Sequence, residues 1–266
     1  MHIINFAHGE IYMLGGMFMW LFTAEHDWFI VSNYVTSMVL AMVIVAAIGV
    51  ALYWLCFRKF RGNLMPGLIV SVGLIFIIQA STATWFPKGV EDRAIPSPEV
   101  MQGVVNFAGA TLSKERLLVI LIAIVFVVLL YLFLMRTKYG RSMRACAQDA
   151  DAALLQGISV DGSCTMAMAI GCALAAAGGA LAGSVFYVNP YIGSFPLLKA
   201  FVAIVLGGMG SLPGTILAGF VIGGTESFGG TYLTGTYSTM LIFGLLIVIL
   251  VIRPMGLFGR EGITPQ

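Results

Sequence analysis

Long uncharged stretches alternate with short charged islands along this chain, and that alternation predicts its elements. Residues 31–57 form a 27-residue run without an acidic or basic side chain, enough for a tilted membrane-spanning helix. The run ends at Arg58, Lys59 and Arg61. Residues 62–87 form a second apolar run, with Pro66 near its start and Gln79 as the most polar group deep within it. Residues 88–115 mix Lys88, Glu91, Asp92, Arg93 and Glu99 with prolines, which predicts a loop with room for one short surface helix. Residues 117–135 and 162–188 are the third and fourth runs. The fourth contains AIGCALAAAGGALAG, a nearly continuous small face suited to tight helix packing in lipid, and the turn Asn189–Tyr191 follows it.

Between the third and fourth runs lies a polar island, 136–161, with the sequence RTKYGRSMRACAQDADAALLQGISVD. Gly140 is predicted to break the preceding helix, Asp149 to cap a short one, and Gly157 to end it in a left-handed conformation. Ala150, Ala152, Ala153, Leu154 and Leu155 lie between those signals, and their alanines would let another protein surface come close. The island is therefore read as a docking helix. The plain alternative is an ordinary basic loop with a frayed helix. Arg136, Lys138, Arg141 and Arg144 put the island on the cytoplasmic side, together with 58–61 and the C-terminus, which carries Arg253 and Arg260. Glu25–Asp27, 88–115 and 189–191 are then external.

Two stretches depart from simple spans. At the N-terminus, 11–24 is apolar but only about 21 Å long as a helix, short of a ~30 Å hydrocarbon core. Extending the helix backward through Asn5, His8 and Glu10 would place polar groups at membrane depth. Those groups are expected to face the bundle interior, either fixing a helix end or touching the transported molecule. Residues 197–228 are interrupted by Gly207, Gly208, Gly210, Pro213 and Gly214. The run 237–252 must end inside, so 197–228 should begin and end outside, as a re-entrant pair of half-helices or as two short, strongly packed spans. Broken helices at membrane depth often mark transport paths. Glu226 closes this region either as an interfacial carboxylate or as a path-lining group.

Composition narrows the class. Apolar residues are 59% of the 266, charged residues 10%, and the mean hydropathy is +0.98. A soluble domain carries about 25% charge, so this is an integral membrane protein. The net charge of +2 sits in loop clusters, which speaks for topology and against nucleic-acid binding. The four cysteines have no metal-like spacing, and the three histidines, His2, His8 and His26, form no metal cluster. No phosphate loop, HExxH or GxSxG is present, and catalysis is not expected. A polytopic chain with a docking helix, broken helices and no energy-converting motif suggests a channel-like subunit driven by a partner. A secondary transporter stays open at this point.

Four motifs, in order along the chain, carry a resemblance. Asn5-Phe6-Ala7-His8-Gly9-Glu10, followed by Tyr12-Met13-Leu14-Gly15, resembles the NFAHGE motif of branched-chain amino acid ABC importer permeases of the LivH type. Tyr139-Gly140-Arg141, with Arg144-Ala145, Ala152-Ala153 and Gly157-Ile158, is similar to that family's cytoplasmic coupling loop. The segment from Leu206 through Gly214 resembles its glycine-rich segment, and Arg253-Pro254-Met255-Gly256-Leu257-Phe258-Gly259 its C-terminal ending. In the family an apolar helix usually precedes NFAHGE, whereas here Met1 stands just ahead of the motif. The expectation is a truncated or misassigned start, or a member without that helix.

The resemblance implies an all-α, polytopic transmembrane bundle like type II ABC importers, forming a single permease domain over 1–266. It implies coupling to an ATPase through Gly140, Arg141, Arg144, Ala152, Ala153 and Gly157. The polar groups within the spans mark a candidate pathway near Asn5, His8, Glu10, Gln79 and Glu226, with broken-helix glycines Gly207, Gly208, Gly210 and Gly214. The implied partners are a second homologous permease subunit, two cytoplasmic ATP-binding subunits and an extracytoplasmic substrate-binding protein, all at a bacterial or archaeal inner membrane. No cofactor is implied, and the mechanism would be alternating access. A urea or short-amide importer permease is the alternative within this class, and an ion-coupled secondary transporter the alternative outside it.

Overall fold

A computed structural model describes residues 5–24, 33–60, 64–86, 89–98, 101–107, 110–208, 210–232, 235–253 and 256–258. The expected acidic turn 25–27, together with Arg61, Lys88, Glu99 and Arg260, lies outside the described residues. The chain divides into two compact units, Met1–Ser194 and Phe195–Gln266.

The first unit holds α1 (His8–Ala24), α2 (Tyr34–Leu55), a 3-10 turn (Phe57–Phe60), α3 (Leu64–Trp85), a hairpin of β1 (Val104–Phe107) and β2 (Ala110–Ser113), α4 (Lys114–Arg136), α5 (Lys138–Gln148), α6 (Ala150–Leu155) and α7 (Val160–Val185). Among the described residues, four of its helices are long and apolar enough to cross a membrane: α2, α3, α4 and α7. No residue of α4 is buried within the chain. Its apolar surface therefore needs lipid or another protein around it.

The organising helix is α7, and its small face explains why. A Cβ on Gly179 would overlap the Tyr12 carbonyl, and one on Gly15 would overlap the Ala176 backbone. Only backbone without a side chain permits α1 to lie that close. The level of contact rises together on both helices. His8 is beside Gly171, Tyr12 beside Gly178 and Gly179, and Gly16 against Gly179 and Val188. Thus α1 runs parallel to α7. By contrast α2 runs antiparallel to it, with Tyr34 bonded to Ser184, Gly49 against Cys172, and the Tyr53 hydroxyl donating to Asp161 Oδ1 at 3.1 Å. Two apolar clusters fill the layers. One gathers Ile11, Met13, Met17, Trp20, Val45, Cys172, Ala176 and Val188. The other gathers Ala7, Tyr53, Phe57, Leu74, Cys146, Ala153, Val160 and Cys164 toward the start of α7.

The segment expected as a loop with room for a short surface helix contains a hairpin, with Val104 opposite Ser113 and Val105 opposite Leu112. β-Branched residues on both sides of Gly109 favour strands over helix. Arg93, expected as a solvated loop charge, is 2% exposed. Its backbone pairs with Val188 (2.9 and 2.8 Å), and its guanidinium donates to the Gly89 carbonyl at 2.6 Å and lies 4.8 Å from the Trp20 ring. The aromatic face and the carbonyl supply the partners that water would otherwise give.

In the second unit, α8 (Ser194–Gly207), α9 (Leu212–Tyr232) and α10 (Gly235–Ile252) follow one another. The break falls at the expected glycines but the two parts are unequal. The 14 residues of α8 span about 21 Å and the 21 of α9 about 31 Å. Gly208 (φ 95°) and Gly210 (φ 87°) take left-handed conformations that make the turn. The backbones of Gly207 and Gly214 then meet so closely that a Cβ on either would overlap the other strand of chain.

Candidate translocation and coupling sites

The polar N-terminal motif sits halfway along the bundle. Helix α1 starts at His8, beside Gly171, which stands eleven residues beyond Val160 and so roughly 16 Å along the 26-residue α7. The helix reaches back to His8 and stops there, because Asn5 takes a turn whose Oδ1 accepts from the Ala7 N–H at 3.0 Å. The N–H groups of Glu10 and Ile11 donate to the Ala7 carbonyl at 3.1 and 3.2 Å. Glu10 is 2% exposed, and its Oε1 accepts from Gln79 Nε2 at 2.9 Å. Its Oε2 has no hydrogen-bond partner among the described residues. The structure thus brings Glu10 and Gln79 together, while His8, two residues earlier, turns to the α7 side beside Gly171. Glu226 is in the second unit, where it meets a residue that sequence reasoning passed over. Lys199 Nζ donates to its Oε1 at 2.6 Å.

The polar island folds as two helices. The expected break at Gly140 is corrected: α4 ends one turn earlier, at Thr137, whose hydroxyl donates to the Phe133 carbonyl at 2.7 Å and accepts from the Gly140 N–H at 3.0 Å. Gly140 lies inside the first turn of α5. A side chain there would overlap the carbonyls of Phe133 and Leu134, so glycine is needed for the fold-back and not to end a helix. Asp149 caps α6 by accepting from the N–H groups of Asp151 and Ala152, both at 3.0 Å. Gly157, at φ 76°, closes α6, and the Ile158 N–H donates to the Ala153 carbonyl at 3.0 Å.

Ala152 and Ala153 of the island differ in environment. Ala153 is 4% exposed, within the cluster of Tyr53, Phe57, Cys146 and Cys164. Ala152 is exposed, and Leu154 and Leu155 with it, Leu155 at 87%. Arg141 and Arg144 are exposed on α5, Arg144 donating to the Met135 sulfur at 3.3 Å. Asp161 ties the neighbouring helices. It accepts from Tyr53 and, through Oδ2, from Arg58 at 3.3 Å, while Arg58 stacks 4.3 Å from the Trp54 ring. No group of His, Cys, Asp and Glu among the described residues could hold a metal ion.

Four membrane-capable helices, a buried polar motif and a partly exposed, polar helix pair fit the class of transport permeases. The chain is a member of the family described as branched-chain amino acid transport system, permease component, whose model matches residues 1–250. The branched-chain amino acid permease LivH of Escherichia coli K12 is 34% identical over 97% of this chain and 86% of its own length. BraD of Pseudomonas aeruginosa, described as a high-affinity branched-chain amino acid permease, is 32% identical over the same shares. The fructose import permease FrcC of Rhizobium meliloti is 28% identical over 70% of this chain and 54% of its own. No solved structure matches the chain significantly.

Proposed function

We propose that the chain is one permease subunit of an ATP-driven, binding-protein-dependent importer of branched-chain amino acids, working by alternating access in a bacterial or archaeal inner membrane. Its complex would hold a second homologous permease, two cytoplasmic ATP-binding subunits and an external binding protein. The observation that carries this reading is the α5–α6 pair. Its inner side is anchored by Ala153, Cys146 and Gly140, and its outer side, with Arg141, Arg144, Ala152 and Leu155, is exposed among the described residues. A rigidly seated pair with an exposed apolar tip can transmit a push into α4 and α7, to which it is joined at Thr137 and Ser159. The pair would lie in the cytoplasm with the C-terminus, as the arginine clusters favour.

The pathway would pass the start of α1, where Glu10, Gln79 and His8 offer polar groups at half depth, and Glu226 of the second unit. Glycines 207, 208, 210 and 214 would act by letting α8 and α9 meet at a tight turn, not by direct contact with the solute. The test is leucine uptake by vesicles holding the purified permeases, ATPases and binding protein. Uptake should require internal ATP and loaded binding protein. Uptake driven by an ion gradient without nucleotide, or transport of urea in place of leucine, would overturn the reading.

A further inference from the structure

Between residues 195 and 252 the chain has two charged side chains, Lys199 and Glu226, and they bond each other. Both stay partly open, at 36% and 45% exposure. An ion pair on an apolar helix pair does not belong against hydrocarbon, since ionisable groups in spans face protein or a watery cavity. The faces of α9 agree. At 100° per residue, Gly219, Gly223 and Gly230 fall within about 60° of Glu226, while Phe220, Phe228 and Tyr232 lie about 120° or more away. A Cβ at any of those three glycines would meet nothing within 4 Å. The carboxylate therefore stands between buried Ile222 and Gly229 on one flank and a strip of uncovered glycine backbone on the other, with the bulky aromatics farther round. Glu226 is fourteen residues beyond Leu212, about 21 Å along α9, roughly two thirds of the way along the helix. Its carbonyl accepts from Ser238 Oγ at 3.1 Å, which fixes α10 to α9 at this level.

We propose that Lys199 and Glu226 form a transient site for the charged end of a free amino acid: Lys199 takes the α-carboxylate and Glu226 the α-ammonium. This rests on the proposed transport function and deepens it. The electrostatics favour such a ligand over a single ion. An added cation or anion would leave one member of the pair uncompensated, which is costly in a low-dielectric site. A zwitterion exchanges one ion pair for two and keeps the site neutral throughout. The glycine strip gives it room to lie against the backbone of α9. Such a site reads the common end of amino acids and leaves the side chain to other surfaces.

The experiment compares wild type, Lys199→Met, Glu226→Gln and the swap Lys199→Glu/Glu226→Lys in the same vesicles. Wild-type uptake tests the transport reading by itself. Each single variant is expected to take up leucine at least tenfold more slowly. The swap should regain the wild-type melting temperature, because the strut is restored, yet remain at least tenfold slow, because the polarity met by the ligand is reversed. Wild-type uptake in the swap or in either single variant would reduce the pair to a strut and overturn the proposal. Should the charge variants fail to assemble, Gly223→Cys probes the face with the native pair in place. A water-soluble thiol reagent should label it, and leucine-loaded binding protein with ATP should slow labelling at least fivefold. Absence of labelling, or labelling indifferent to substrate, would equally overturn it.

Discussion

The backbone N–H of Leu257 donates to the carbonyl of Leu206 at 2.8 Å, and that of Phe258 to Gly207 at 3.2 Å. Two motifs far apart in sequence thereby complete one another. The carbonyls at the end of α8 lack helical partners, and the C-terminal Gly256–Phe258 segment supplies them. Gly256 makes this possible at φ 78°, with a Cβ there overlapping the Val205 carbonyl. Gly256→Ala should therefore destabilise the second unit by about 1–3 kcal/mol or more. Gly244→Ala, where a Cβ meets open space, should be neutral or slightly stabilising. Thermal unfolding of the two purified variants decides it, and equal melting would remove the clasp from the account.

Exposed Ala152 and buried Ala153 separate docking from folding. Ala152→Trp and Leu155→Asp should leave the chain's own packing intact and lose co-purifying ATPase. Ala153→Trp should damage the permease itself, since it overfills a cluster with no room. Overpacking of this kind costs about 1–3 kcal/mol. Subunit stoichiometry and melting temperature, measured side by side, distinguish the two outcomes. Retained ATPase with Ala152→Trp would mean the outer side is not the docking surface.

Arg93→Met should weaken the link between the 89–98 segment and the bundle. It deletes a charge-assisted bond to Gly89 and the stacking on Trp20, of order 2 kcal/mol or more together. Limited proteolysis should then cut within 89–98 much faster than in wild type.

Asp161→Asn should matter less to stability than its bonds to Tyr53 and Arg58 suggest. The Arg58–Asp161 side chains are 46% and 31% exposed. An ion pair so open is worth below about 1 kcal/mol, and salt weakens it further. The predicted small loss of stability should vanish as ionic strength rises. A loss that persists in high salt would point to the Tyr53 bond instead.

Glu10→Gln tests the half-depth carboxylate. The amide keeps a carbonyl oxygen for Gln79, so assembly should survive. Leucine uptake should fall at least tenfold if the second carboxylate oxygen serves the pathway. Unchanged uptake with intact assembly would leave Glu10 as a structural residue.

Much of the fold was legible because apolar runs and arginine clusters are local signals. The small face of α7 announced tight packing. Which carbonyl Gly179 would meet could not be read, since Tyr12 lies on a helix distant in sequence. Ala152 and Ala153 looked alike because adjacent helical positions are 100° apart, and which one faces inward depends on how α6 seats. Lys199 was overlooked as a lone charge in an apolar run. Pairing it with Glu226 requires knowing that the chain folds back at Gly208–Ser211. Arg93 read as a loop charge because its environment of prolines and acids signals solvent, while its burial depends on Trp20 and Val188.

The placement of α1 bears on the order in which the protein is made. A helix that starts halfway along α7, and is sealed by it, has no complete seat until α7 exists. About 150 residues must be synthesised in between, a wait of roughly 8–30 s at ~5–20 residues per second. During that interval Glu10 and its helix must be kept from lipid by some other agent, an insertion machine or an early partner. Cells lacking such an escort should degrade the newborn chain before α7 emerges, and a ribosome stalled just short of Val160 should expose α1 to proteases that the finished chain resists.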